Sequence, residues 1–216
     1  PKISFLEIEI AGPVDIYEDY LESYYKKMGI NKNNFFTDIS NYLSYELGQP
    51  THCFDKEQLT GNIVFEYKDC SEEFETLLGK KIQLTGKNCV FSNNGKIISL
   101  AGVMGGAKTE VTENTTSILL EAAHFNPALI RRSAQRFNLH SEASRRFERG
   151  LSPDLAEHAA HRALNLYKVI CGGAQNSNFV DEYSKPPTRP SIAITPQDIE
   201  RVLGISIGSN EITRIL

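Results

Sequence analysis

The stretch NIVFEYKDCSEEFETLLGKKIQLTGKNCVFSNNGKIISL, residues 62 to 100, decides the fold class. It holds four β-type runs, IVFEY, KIQL, CVFS and KIISL, punctuated by Gly, Asn and Lys. Branched and aromatic side chains fit a pleated surface, and short runs broken by turn formers predict antiparallel strands, with KIQL and CVFS as separate elements. Upstream, Ser40 to Leu47 reads as a short helix stopped by Gly48, and the Gly-Gln-Pro that follows turns the chain before His52 and Phe54. Nearer the start, Ile3, Phe5, Ile8 and Ile10 suggest a strand, although Leu6 breaks its alternation. Asp15 and Glu18 have capping-box spacing ahead of a helical face of Ile16, Tyr20, Tyr24 and Met28, which Gly29 is placed to end.

Downstream of the strands, Gly102, Gly105 and Gly106 crowd into one loop, and SILLEAA at Ser117 to Ala123 reads as a buried strand carrying one carboxylate, Glu121. Asn126 with Pro127 is a cap plus first-turn proline for a helix to Phe137, and Ser152 with Pro153 repeats the signature for a helix to Cys171. The second half is therefore expected to be helical. SKPPTRP at Ser184 to Pro190 is a stiff break, followed by an expected SIAI strand, a Thr195-Pro196 capped helix ending at Gly204 and a further helix near Asn210. The expected class is α+β: an antiparallel β-rich middle with flanking helices, plus a truncated second domain at the C-terminus. The expected division is residues 1–185 as one domain, 186–190 as a proline-rich linker and 191–216 as the incomplete start of the next domain.

With 216 residues, 40% of them hydrophobic, the chain is long enough to bury a core. No run approaches the roughly 18 to 20 apolar residues that span a bilayer, and PKISFLEIEI is not a secretory leader. Cys53, Cys70, Cys89 and Cys171 form no C-x-x-C pair, which fits a reducing cytoplasm. The formal net charge of −4 means that any nucleic-acid contact must come from a local basic patch. Arg131, Arg132, Arg136, Arg145, Arg146 and Arg149, tempered by Glu142 and Glu148, make one such stretch, readable equally as a phosphate site or as an ion-paired helix surface.

Taken singly, the chemical signals are ambiguous. Glu121, flanked by Leu119, Leu120, Ala122 and Ala123, is either a costly buried carboxylate or the solvent face of an alternating strand. The loop LAGVMGG, Leu100 to Gly106, either admits a ligand to main-chain N–H groups or is a plain tight turn. His52 next to Cys53 invites a thiol hydrolase, but adjacent side chains diverge on a strand and no thiol-protease signature surrounds them. His158 and His161 lack an evident third metal ligand, and Ser141 lacks the G-x-S-x-G elbow of a serine hydrolase.

Together and in this order, NYLSYELGQPTHCFD at Asn41 to Asp55, LAGVMGG, LLEAAHF and HSEASRRFERG up to Gly150 resemble the bacterial-type phenylalanyl-tRNA synthetase β subunit, over about Asp38 to Glu182. The E-L-G-Q-P-x-H-x-F-D and H-[ST]-[DE]-A-S-x-R-[FY]-E-R-G cores are its most specific parts. The resemblance implies a tRNA-editing domain over residues 1–185, which hydrolyses tyrosine wrongly esterified to the phenylalanine tRNA. It implies roles near the ester for His52, Asn41 and Ser141, and contacts to the tyrosyl group from Glu121, Gly105 and Ala143. Arg145, Arg146 and Arg149 are the candidates for tRNA phosphates. Two departures stand out: Ser141 where the family often has threonine, and Cys53 where alanine is common. The resemblance further implies a cytoplasmic enzyme of two α and two β subunits that ligates phenylalanine to tRNA. Its ATP and magnesium belong to the α subunit, so no cofactor or metal is expected in this chain. A non-catalytic module with a vestigial pocket, contacting tRNA or packing subunits, is the alternative.

Overall fold

The computed structural model describes residues 1–14, 19–171, 174–183, 186, 188 and 191–216, and the chain divides into two units, Pro1–Ser184 and Lys185–Leu216. In chain order the first unit runs β1 (Lys2–Ile10), α1 (Asp19–Met28), α2 (Phe35–Glu46), β2 (Thr51–Asp55), β3 (Ile63–Glu75), β4 (Lys81–Asn93), β5 (Lys96–Leu100), β6 (Met104–Gly105), β7 (Ser117–His124), α3 (Pro127–Phe137), α4 (Glu142–Phe147), α5 (Asp154–Ile170) and β8 (Ala174–Tyr183). The second unit holds α6 (Pro196–Leu203) and α7 (Ser209–Ile215). The capping box at Asp15 and Glu18 and most of the linker at 186–190 lie outside the described residues.

Two antiparallel sheets result, ordered β2-β7-β1-β8 and β3-β4-β5-β6, so the expected mixture of helices with an antiparallel β-rich middle is what the chain forms. The first sheet is covered on both faces, which explains why Leu6 breaks the alternation of β1. Leu6, Ile8 and Ile10 face a core shared with α1, α2 and α5, whereas Ile3 and Phe5 face a second core shared with the other sheet. A strand with apolar side chains on both faces does not show strict apolar–polar alternation. Four buried alanines of α5, Ala156, Ala159, Ala160 and Ala163, keep that helix small where it meets the sheet.

KIQL and CVFS are one strand, not two: β3 and β4 pair without interruption from Ile63↔Asn93 to Glu75↔Lys81. Gly86, at φ +65°, kinks β4 where a turn was expected. Asn88 donates to the carbonyls of Thr85 and Gly86, and Arg136 from α3 donates to those of Thr85 and Lys87. With its carbonyls satisfied in this way, the kink continues the ladder instead of ending it.

Three further expectations are corrected. α2 begins at Phe35, not Ser40, because Asn34 caps it by accepting from the Thr37 N–H at 2.9 Å. The second half is not purely helical, since β8 pairs with β1. Residues 191–195 form no strand: a strand needs a hydrogen-bonding neighbour, and SIAI has none among the described residues. The Thr195 capping box and the Gly204 stop of α6 are present as read.

Candidate functional site

Edge strand β2 and its neighbour β7 set the centre of the site. Their register places His52 directly opposite Glu121. Alternation sends Leu120 and Ala122 to the helical core, so Glu121 turns toward the second sheet, where it is 5% exposed. The solvent-facing reading of Glu121 is thereby overturned. Gln49, fully buried in the E-L-G-Q-P segment, donates to the carbonyls of Pro50 and Ala123 and ties the start of β2 to the end of β7.

Between the sheets lies a cavity of about 180 Å3 lined by His52, Gly105, Glu121, Ser141 and Ala143, with Thr51, Leu77, Ser99, Val103, Met104 and Phe147 among the remaining walls. Five of the six residues expected to form the pocket thus converge. Asn41 lines an adjoining cavity of about 350 Å3, rich in polar groups, that shares Thr51, His52 and Leu77 with the first. A dry apolar cavity of about 150 Å3 accepts one benzene ring, so the smaller space suits a single six-membered aromatic ring.

Gly105 is required by close approach. A Cβ there would stand 2.6 Å from Cε1 and 3.0 Å from Nε2 of His52, and 2.8 Å from Leu77. The imidazole fills the space a side chain would take, with Phe54 edge-on to it at 4.5 Å. Leu77 N–H donates to the Gly105 carbonyl at 3.0 Å, holding the β3–β4 turn against the glycine loop.

Neither polar group at the centre has a partner. Among the described residues no hydrogen bond or ion pair reaches the Glu121 carboxyl, and the buried Nε2 of His52 is unpaired. Burial pushes the Glu121 carboxyl up from 4.5 to about 8 and His52 down from 6.5 to about 4. Both groups are therefore neutral at pH 7. A base whose conjugate acid titrates near 4 abstracts protons poorly, so His52 is suited to orienting a water or hydroxyl by hydrogen bonding rather than to deprotonating it.

Ser141 lines the cavity, but its hydroxyl already has two partners. It caps α4, accepting from the Ser144 N–H at 3.0 Å and donating to the Val103 carbonyl at 2.7 Å. Through these bonds it tethers α4 to the glycine loop.

Cys53 points the other way from His52, into the helical core, where burial raises its thiol to about 12. That removes the thiolate a cysteine nucleophile needs. His161 bonds the Glu157 carbonyl and packs on Phe179. Among the described residues no group of three or more His, Cys, Asp or Glu could hold a metal ion, and no helix is long and apolar enough to cross a membrane. Of the arginines, Arg145 and Arg146 pair with Glu142 at 3.1 and 2.9 Å, whereas Arg149 is exposed with no ion pair among the described residues. Leu77 was not anticipated. Thr51, Phe147 and Gln49 were within reach, since all three lie inside quoted motifs.

Residues 16–172 match the family described as the B3/4 domain. Relatives named phenylalanine–tRNA ligase beta subunit include that of Psychrobacter arcticus, 38% identical over 87% of this chain and 24% of its own length. That of Gloeobacter violaceus is 37% identical over 99% of this chain and 27% of its own length, and that of Geobacter metallireducens 36% identical over 87% and 24%. The chain spans about a quarter of the length of these curated relatives. A solved N-terminal fragment of the phenylalanyl-tRNA synthetase beta-subunit from Pyrococcus horikoshii aligns at 11% identity and a TM-score of 0.48, over 97% of this chain and 58% of that one.

Proposed function

This chain belongs to the B3/4 domain family, and from that premise we propose that it is the editing segment of a phenylalanine–tRNA ligase β subunit, hydrolysing the ester of tyrosine mischarged onto the phenylalanine tRNA. The observation that carries the reading is the convergence of His52, Gly105, Glu121 and Ala143 on one ring-sized cavity, in which the Glu121 carboxyl is buried and has no partner among the described residues. An apolar synthetic pocket rejects an added hydroxyl by only about 10², so a second site must select for that hydroxyl.

In this reading the tyrosyl ring enters between the sheets past Ala143, and its phenol meets Glu121 and the main chain at Gly105. The ester and terminal ribose lie toward the adjoining polar cavity, beside Asn41, Thr51 and His52. His52 orients the attacking water. Attack at the ester carbonyl breaks the bond to the ribose, giving free tyrosine and a tRNA hydroxyl. Phenylalanine leaves the Glu121 carboxyl unpaired at a cost of about 1 to 3 kcal/mol and is spared. In the complete enzyme, a cytoplasmic complex of two α and two β subunits, ligation with ATP and magnesium falls to the α subunit.

The test is release of tyrosine from mischarged tRNA by the complete enzyme. Glu121→Ala is expected to slow it by about 10- to 100-fold, matching that unpaired-group cost, and Ala143→Trp to abolish it by filling the cavity. If Glu121→Ala releases tyrosine as fast as the wild type, the reading is wrong. A non-catalytic module is the second reading; the weak basicity of His52 favours it.

A further inference from the structure

Within the editing reading, on which this inference rests, the form in which Glu121 meets its ligand is open, and the surroundings of the side chain decide it. From β2 its strand partner is His52, whose Nε2 is buried without a partner. From β1 its partner is Phe5. Of the charges on that strand, Lys2 pairs with Asp181 and with Glu157 of α5, Glu7 pairs with Lys56, and Glu9 is exposed at the far end of the strand. From the second sheet it faces Gly105 and Ser99, and from α4 Ser141 and Ala143. The charges of α4, Glu142 with Arg145 and Arg146, pair with one another at the surface. Cys53, next to His52 on β2, is a neutral thiol that faces the helical core. Among the residues lining the cavity, Glu121 and His52 are the titratable ones, and His52, held down at about 4 by burial, stays uncharged around neutral pH; among the described residues no hydrogen bond or ion pair reaches the carboxyl.

We propose that Glu121 works as the neutral carboxylic acid, donating its own proton in a hydrogen bond to the phenolic oxygen of the tyrosyl group, beside an unprotonated His52. A carboxylate moved into such a site without donors takes up a proton rather than bear the desolvation. A carboxylic acid held neutral in this way offers a donor and an acceptor together, the combination a hydroxyl needs. The value of about 8 at Glu121, set by burial alone, agrees with this geometry. Selectivity for tyrosine over phenylalanine is then a property of the protonated site. It declines as the carboxyl ionises, while the phenol itself, with a pKa near 10, stays intact.

The test compares tyrosine and phenylalanine release from the corresponding aminoacyl-tRNAs by the complete enzyme, between about pH 6.5 and 9. Taking the ratio of the two rates cancels the hydroxide dependence that both esters share. The wild-type ratio is expected to hold to about pH 7 and to fall about tenfold by one unit above the Glu121 value. In Glu121→Gln, whose amide keeps a donor and an acceptor at every pH, the ratio should stay flat. A wild-type ratio that is constant or rises with pH overturns the inference, as does a Glu121→Gln ratio that falls like the wild type's. A second readout does not involve editing: the infrared band of a protonated carboxyl should be present at pH 7 in the wild type and missing from Glu121→Gln. Its absence from the wild type defeats the neutral-acid inference and leaves the editing reading intact, whereas absence of tyrosine release at every pH defeats the editing reading itself.

Discussion

At the scale of single residues, Glu121 and His52 make opposite demands on folding. Glu121 holds its proton up to about pH 8 in the folded chain and only to 4.5 when unfolded, so the stability it confers is complete below 4.5 and is lost as pH rises through 8. His52 stays neutral down to about 4 when folded but takes a proton below 6.5 when unfolded, so its contribution is complete above 6.5 and is lost as pH falls through 4. Between 4.5 and 6.5 the two slopes cancel. Between 6.5 and 8 Glu121 acts alone, at about 1.4 kcal/mol per pH unit, or about 2 kcal/mol across the window. Thermal unfolding followed by circular dichroism should therefore show a plateau from about pH 5 to 6.5, then a fall in Tm of about 4 to 8 °C by pH 8. Glu121→Gln should remove the fall and turn the plateau into a rise up to about pH 6.5, because the His52 slope is then no longer offset, whereas a fall of equal size in that variant would place its origin elsewhere. The sequence allowed two faces for Glu121, since the pattern LLEAA is the same whether the strand is covered on one side or on two. Only the second sheet, built from residues 63 to 105, makes its position buried.

At the scale of elements, the legible parts were those with local causes. The Asn126 cap with Pro127 and the Thr195 box with Gly204 mark their helices because a side chain there bonds the next turn. The 69-residue separation of His52 from Glu121 has no local cause, and their pairing depends on β2 docking at the edge of β7 with Gln49 bridging the two. The kink at Gly86 was misread as a turn for the same reason: Arg136, which satisfies it, lies fifty residues on. Gly105 was legible as a glycine with a purpose, but its purpose is to accept the imidazole of His52. Gly105→Ala should consequently leave both sheets folded, at an overpacking cost of about 1 to 3 kcal/mol, while displacing the ring that its Cβ would touch at 2.6 Å. The expected result is tyrosine release reduced by at least about tenfold, the equivalent of 1.4 kcal/mol, with the His52 imidazole resonances shifted in the NMR spectrum. Shifted resonances with unchanged release would mean that the position of His52 does not matter to the chemistry.

At the scale of the whole molecule, the net charge of −4 bears on the proposed contact with tRNA. A mildly repulsive overall field leaves phosphate contact to local cations, and the sequence could not tell which arginines are available because ion pairing depends on rotamers and helix phase. Glu142, in the first turn of α4, holds both Arg145 and Arg146, whereas Arg149 beyond the helix has no ion pair among the described residues. If this face meets phosphate, the three arginines should differ in effect. Arg149→Ala should weaken tRNA binding and lower the slope of log K against log salt by about one. Arg145→Ala should do less, because Glu142 already offsets its charge. Glu142→Gln should act in the opposite direction, tightening binding and steepening the slope as two guanidinium groups are freed. Neutralising Glu142 also removes a favourable charge from the helix N-terminus, worth about 0.3 to 1 kcal/mol, too little to unfold a domain held by two cores. Its effect on binding can therefore be read without a folding defect. Filter binding of labelled tRNA to the complete protein across a salt series measures all three variants, and identical slopes in all of them would show that tRNA approaches by another face.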